Sequence, residues 1–381
     1  HLFLSCLFMM LPFYHIPFVL RRHYLKRGEL QKSGIPVYEQ QHAITNCRTF
    51  RFYIGEEKYR GLKRFTVQPN DIIISCSGTI GKVSMITESD PVGIISQALL
   101  ILRCNTDMIL PRYLYYFLIS ATGFHSITSV SSGSVQVNIA KRAVIENIDI
   151  PYFSLDIQEK IVSVLTALDN KVKLNQKINE NLERQVAAIF DMWFVNLSAT
   201  NGNIPADWME GTLGEVANIT SGKRPPMKQV SPTQEVTIPL VGAASIMGYT
   251  NQALYNEPIL VTGRVGTHGV IQRFQTPCWT SDNTLVIKSI YYEFVYQILQ
   301  RIDYKNMNRG STQPLITQTD LKNCHIMLPP TEWLQKFEAL AGSLMAKYEA
   351  NRIENMCLAK LRDELLPKLM SSEIDISTVQ C

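Results

Sequence analysis

Gly78, Gly81 and Lys82 follow a run of three isoleucines, Ile72 to Ile74. A strand, two glycines and a lysine are the parts of a loop that cradles phosphate on backbone N–H groups. Such a loop needs the spacing G-x-x-x-x-G-K-[ST], and here it fails twice. Cys76 stands where the first glycine belongs, and Val83 where a hydroxyl should reach magnesium. The simpler reading is a strand–turn–strand in which Gly78 and Gly81 supply positive φ. Other constellations for catalysis are missing. There is no G-x-S-x-G, no H-E-x-x-H and no nuclease-like Asp/Glu/Lys cluster. The eight cysteines include no C-x-x-C and no zinc-spaced Cys/His group. The chain itself is expected to be non-catalytic, with no metal and no cofactor.

Polar residues beside glycines suggest a different chemistry. Ser77, Thr79 and Lys82 in this loop, and Gln136 and Asn138 after Gly133, are types that bond base edges or phosphates. The same holds for Lys223, Arg224, Arg264, Thr267, His268, Arg309 and Gln313 later in the chain. Gln40, Gln41 and Arg51 are lesser candidates. A net charge of +4 over 381 residues is compatible with a nucleic-acid partner without demanding one.

The elements that position these residues occur twice. Gly78 and Gly81 align with Gly263 and Gly266. Ser96-Gln97-Ala98-Leu99 aligns with Ser281-Asp282-Asn283-Thr284, and Gly133-Ser134-Val135-Gln136 with Gly310-Ser311-Thr312-Gln313. Ile35-Pro36 matches Ile238-Pro239. Each copy ends in an apolar stretch closed by proline, Pro151 or Pro330, and then a long helical pattern, about 156–194 and 331–370. Read every seven residues, the first helix gives Ile161, Leu168, Asn175, Leu182 and Ile189. The second gives Phe337, Leu344, Asn351, Leu358 and Leu365. This is a heptad seam with asparagine at the same place in both, a device that fixes helix register at some expense of stability.

The expected fold is α/β (α+β): two similar globular domains, separated by two long antiparallel helices in a pseudo-two-fold repeat. The boundaries are an atypical apolar N-terminus at 1–27, domain one at 28–155, a spacer helix at 156–200, domain two at 207–330 and a distal helix at 331–372. Two related domains at a fixed separation suit a bipartite target, one domain per half.

The ordered motifs resemble the specificity subunit of type I restriction–modification systems. In the first copy they are GIPVYEQQHAI, DIIISCSGTIGKV, and GSVQVNI followed by IDIP. In the second they are LGEVANITSGKRPP, GRVGTHGVI, GSTQPLIT and LRDELLPKLMS. Together they span about residues 33–375. The resemblance implies two target-recognition domains on double-stranded DNA, with helices that act as a ruler. It also implies docking of two methyltransferase subunits, which bind S-adenosylmethionine, and of ATP-dependent restriction subunits through the assembled complex. Leu328-Pro329-Pro330-Thr331 does not supply the Pro-Pro motif of an adenine methyltransferase, consistent with a recognition role for this chain.

One stretch departs from the family's pattern. By the offset linking Pro36 to Pro239, the equivalent of LGEVANITSGKRPP should fall at 10–23, where apolar sequence and Arg21-Arg22 stand. Domain one is therefore expected to lack its opening strand and loop. The apolar residues 1–20 have the length of a membrane span but are broken by Pro12 and Pro17. Two alternatives follow: a nucleotide-binding enzyme built on Gly81-Lys82, or a membrane-anchored scaffold. Scattered cysteines favour a reducing, cytoplasmic location without a membrane partner.

Overall fold

The computed structural model describes residues 9–12, 18–19, 25–129, 148–307 and 315–376. They form two compact units, His1–Leu174 with Glu354–Cys381, and Asn175–Ile353. The first unit holds β1 (Met9–Pro12), β2 (Phe18–Val19), β3 (Ile35–Tyr38), β4 (Tyr53–Ile54), β5 (Ile72–Ser75), β6 (Val83–Met85), β7 (Ile94–Ile95), β8 (Leu99–Leu102) and β9 (Asp149–Tyr152). The second holds β10 (Met209–Thr212), β11 (Asn218–Ser221), β12 (Ile238–Val241), β13 (Ile246–Thr250), β14 (Ile259–Gly263), β15 (Gln272–Phe274), β16 (Trp279–Thr280), β17 (Thr284–Lys288) and β18 (His325–Leu328).

The topologies coincide strand for strand. The order β2-β8-β5-β6 recurs as β11-β17-β14-β15, β4-β3-β7 as β13-β12-β16, and β1-β9 as β10-β18. Central strands are apolar on both faces, as their Ile, Val and Leu content requires. Alternate residues of β5 serve two cores. Ile72 and Ile74 face Tyr113, Leu114 and Phe117 of the Pro111–Ile119 helix. Ile73 faces Val37, Phe65 and Ile95. In the second unit Leu260 joins Phe294, Leu299 and Phe337, while Val261 joins Val241 and Cys278.

The expected loss of the opening strand of domain one is corrected by this topology. Met9–Pro12 pairs antiparallel with Asp149–Tyr152, just as Met209–Thr212 pairs with His325–Leu328. Phe18–Val19 pairs with β8 as β11 pairs with β17. The apolar N-terminal sequence stands in the places of β10 and β11. Among the described residues no helix is long and apolar enough to cross a membrane.

Long helices occupy Leu155–Phe190 and Thr331–Met370, the first followed by a wider turn at Asp191–Val195. Within each unit they run antiparallel. In the first, Arg362 donates to Asp169 at 3.0 Å and Lys171 meets Glu354 at 3.4 Å. The Tyr116 hydroxyl also donates to Asp169, at 2.8 Å, and ties the Pro111–Ile119 helix to both long helices. In the second unit, the Asn351 amide donates to Asn179 Oδ1 at 2.8 Å, and Asn179 donates to the Tyr348 carbonyl at 3.1 Å. Asn175 and Asn351 are both buried, and Asn179, which bonds Asn351, lies one turn beyond Asn175. Replacing Asn351 alone by leucine leaves a buried amide oxygen without its donor, and is expected to destabilise by about 1–3 kcal/mol. Replacing Asn179 and Asn351 together is expected to be near neutral in a double-mutant cycle of denaturant unfolding.

The starts of the Pro111–Ile119 and Tyr292–Arg301 helices are tied to the long helices differently in the two units. In the first, buried Gln158 accepts from Leu110 N–H at 2.8 Å and donates to the Met108 and Phe153 carbonyls at 3.0 and 2.8 Å. In the second, the Glu338 carboxyl accepts from Glu293 N–H and Phe294 N–H at 3.1 and 2.7 Å, at the start of the Tyr292–Arg301 helix. Burial pushes Glu338 up to about 7 from its ordinary 4.5, against the pull of the two N–H groups. A raised folded-state pKa contributes stability that is full below the ordinary value and lost as pH rises through about 7. The second unit is therefore expected to lose stability from mildly acidic to mildly alkaline pH, and Glu338→Gln to flatten that dependence in thermal melts across the range.

Candidate nucleic-acid interface

Three loops meet at one end of the second unit. After β11, Gly222 lies so close to the chain that a Cβ there would stand 2.1 Å from the Ser281 carbonyl oxygen and 2.6 Å from that of Thr280. Lys223 N–H donates to the Thr280 carbonyl at 2.9 Å, and the Trp279 indole donates to the Lys223 carbonyl at 2.8 Å. This clamp leaves the side chains of Lys223 and Arg224 exposed. Between β14 and β15, Arg264 N–H donates to Asn283 and the Arg264 carbonyl accepts from Ile316, at 2.8 and 3.0 Å. Arg264 and His268 are half-buried and Thr267 is exposed.

The first unit holds the corresponding turn, and its geometry corrects the alignment of the glycines. Gly78 and Gly81 have φ of 66° and 75°. In the second unit the left-handed pair is Gly266 and Gly269, at 83° and 77°, whereas Gly263 is not left-handed. A Cβ on Gly81 would meet the Phe124 ring at 3.1 Å, and one on Gly269 the Tyr304 ring at 3.0 Å. Cys76 N–H donates to Ala98 as Arg264 N–H donates to Asn283. Gly78-Thr79-Ile80-Gly81 therefore matches Gly266-Thr267-His268-Gly269. Thr79 and Thr267 are common to the two turns, and both are exposed. The side chains that differ are Cys76 against Arg264, Ile80 against His268, and Lys82 against Val270, not Lys82 against Thr267.

This turn is no phosphate cradle. Ser75 N–H donates to the Lys82 carbonyl, Gly81 N–H to Ser75, and Cys76 N–H to Ala98. Lys82 N–H donates to Ser75 Oγ at 2.9 Å. The amides at both ends of the turn are thus bonded inside the protein, and β5 leads to a strand rather than a helix. Lys82 itself is exposed, its ammonium 5.1 Å from the Phe124 ring centre. Ser77 is half-buried and Thr79 exposed.

Charge separates the candidates from the scaffold. Arg48, Arg103, Arg273 and Arg301 are bound to carboxylates. Arg51 pairs with Glu39 at 3.0 Å and lies over Phe52. Gln41 reaches the Thr49 carbonyl at 3.4 Å. Lys82, Lys223, Arg224 and Arg264 have no carboxylate partner among the described residues. Gln136, Asn138, Arg309 and Gln313 lie outside the described residues, as does the Gly-Ser-x-Gln match. The described residues contain no group of three or more His, Cys, Asp or Glu able to hold a metal ion. Sequence reasoning gave Gln40 only a lesser place and missed the clamping role of Trp279, whose partners lie far off in the chain.

The description "Type I restriction modification DNA specificity domain" matches residues 21–184 and 205–340, well over half of the chain. The chain belongs to the type I restriction–modification DNA specificity family. It is 26% identical over 361 residues to the type I restriction enzyme MjaIX specificity subunit of Methanocaldococcus jannaschii, covering 83% of this chain and 82% of that one. A second relative from the same organism, the putative type I restriction enzyme MjaX specificity subunit, is 24% identical and covers 94% and 92%. The fold is that of the type I restriction–modification system S subunit from M. genitalium: TM-score 0.57, 18% identity, 97% of this chain and 98% of that one. Two domain matches in one DNA-specificity chain accord with the strand-for-strand repeat.

Proposed function

We propose that the chain is the non-catalytic DNA-recognition subunit of a type I restriction–modification complex, each unit reading one half of a bipartite duplex target. The long helices set the spacing between the halves and hold two methyltransferase subunits, and restriction subunits join through that assembly. This reading places the protein in the cytoplasm with the chromosome. One observation carries it: two copies of a single topology whose glycine turns differ at the side chains with reach and charge. Lys82 serves the first unit; Lys223, Arg224 and Arg264 serve the second. Long, unpaired cations are suited to phosphates, and arginine also to guanine.

The test is duplex binding by the chain with its methyltransferase subunits at several salt concentrations. Affinity is expected to fall as salt rises, in proportion to the phosphates neutralised. Lys223→Ala combined with Arg224→Ala is expected to lower the log–log salt slope by about 2. An unchanged slope would remove these two residues from the interface.

A further inference from the structure

We propose that Gln40 is a positioning residue that fixes the glycine turn of the first unit, and that His268 does the same work in the second by another route. The inference rests on the function proposed above. Gln40 opens the Gln40–Thr45 helix just after β3. Its amide nitrogen donates to the Thr79 carbonyl at 2.8 Å and makes a short contact with the Ser77 carbonyl. A primary amide has two N–H groups, and both face the turn, with no donor left for a base. Residue 78, between those carbonyls, is a left-handed glycine, and residue 81 is another. A turn with two glycines has more backbone freedom than the same turn without them. Ser75 holds the far end of the turn through Gly81 and Lys82, the Gln40 clamp fixes the segment from Ser77 to Thr79 before it, and base reading demands fixed geometry.

The second unit inverts the arrangement. After β12 the residue in the place of Gln40 is Ala243, whose methyl lies 2.9 Å from the Cβ position of Gly263. No amide can reach the turn from there. Instead His268, within the turn, places Nδ1 3.1 Å from the Gly263 carbonyl. Its counterpart in the first unit is Ile80, which cannot donate. Gln40 with Ile80, and Ala243 with His268, are two complementary solutions to one requirement. Gln40 thus influences DNA reading through the turn, without touching DNA.

The experiment maps methylated sites on genomic DNA in cells carrying the full chain with its methyltransferase subunits, comparing wild type, Gln40→Ala, Gln40→Glu and His268→Ala. Gln40→Glu keeps the size of the side chain and removes both donors. Both Gln40 variants are expected to relax base preference about tenfold at one half of the motif, the order of a hydrogen-bonding loss, and to leave the other half intact. His268→Ala is expected to relax the opposite half. A wild-type profile for Gln40→Glu, or equal relaxation of both halves by any variant, overturns the inference while the function stands. A wild-type chain that directs no bipartite methylation overturns the function and the inference with it.

Discussion

Arg273→Ala is expected to destabilise the second unit by about 3–5 kcal/mol, because it strands a buried carboxylate. Arg273 on β15 grips Glu293 with both ends of its guanidinium, at 2.7 Å for the longer bond. Glu293 is 4% exposed and sits in the first turn of the Tyr292–Arg301 helix. The guanidinium also stacks 4.5 Å from the Tyr296 ring centre and 5.1 Å from that of Tyr292. Arg273→Lys is not expected to rescue, since an ammonium neither forks nor stacks in the same way. Replacing Arg273 and Glu293 together by apolar residues of similar volume is expected to recover most of the loss. The measurement is selective. All four tryptophans, Trp193, Trp208, Trp279 and Trp333, lie in Asn175–Ile353, so indole emission follows the unfolding of the second unit alone. A loss under about 1 kcal/mol would mean that burial of the pair is not what holds β15 to its helix.

Gly222→Ala is expected to be the second large effect, and to reach function directly. Its Cβ would stand 2.1 Å from the Ser281 carbonyl oxygen and 2.6 Å from Thr284 Oγ1, and neither is a flexible end that can move aside. The pairing of β11 with β17 must shift. The expected penalty is about 3 kcal/mol or more, the range of overpacked, strained sites. The Lys223–Arg224 loop loses its hold on Thr280 and Trp279 at the same time. Methylation mapping is expected to show a degraded half-site for the second unit while the first unit's half persists. Thermal melts by indole emission check the stability change, and an unaltered melt would contradict the close approach.

Much of this fold is legible in the sequence. The apolar run Ile72–Ile74, the Ile-Pro dipeptides and the heptad seams mark the repeat because burial on both faces and helical periodicity leave strong patterns. The glycine turn shows where spacing stops informing. The second copy has Gly263, Gly266 and Gly269 at equal intervals, so glycine spacing by itself admits two alignments. The sign of φ and the bond from Arg264 to Asn283 choose the one that also pairs Thr79 with Thr267. Asn179 escaped because it lies one helical turn beyond Asn175, off the seven-residue spacing that marks the seam. The opening strands of the first unit were hidden for another reason. They lie in a nearly unbroken apolar stretch, so no period-2 pattern stands out, and β2 is only two residues long. The clamps by Gln40 and Trp279 join residues dozens of positions apart, which local pattern cannot reveal.

The central claim is that one chain reads two separated half-sites at a fixed distance. Competition binding tests it most directly, using the complex with methyltransferase subunits and a labelled duplex carrying the mapped site. The account predicts that unlabelled duplex of the same sequence competes. Duplexes altered in either half, or with one base pair added to the spacer, are predicted to compete at least about a thousandfold less well. Equal displacement by DNA of any sequence, or indifference to spacer length, would contradict it.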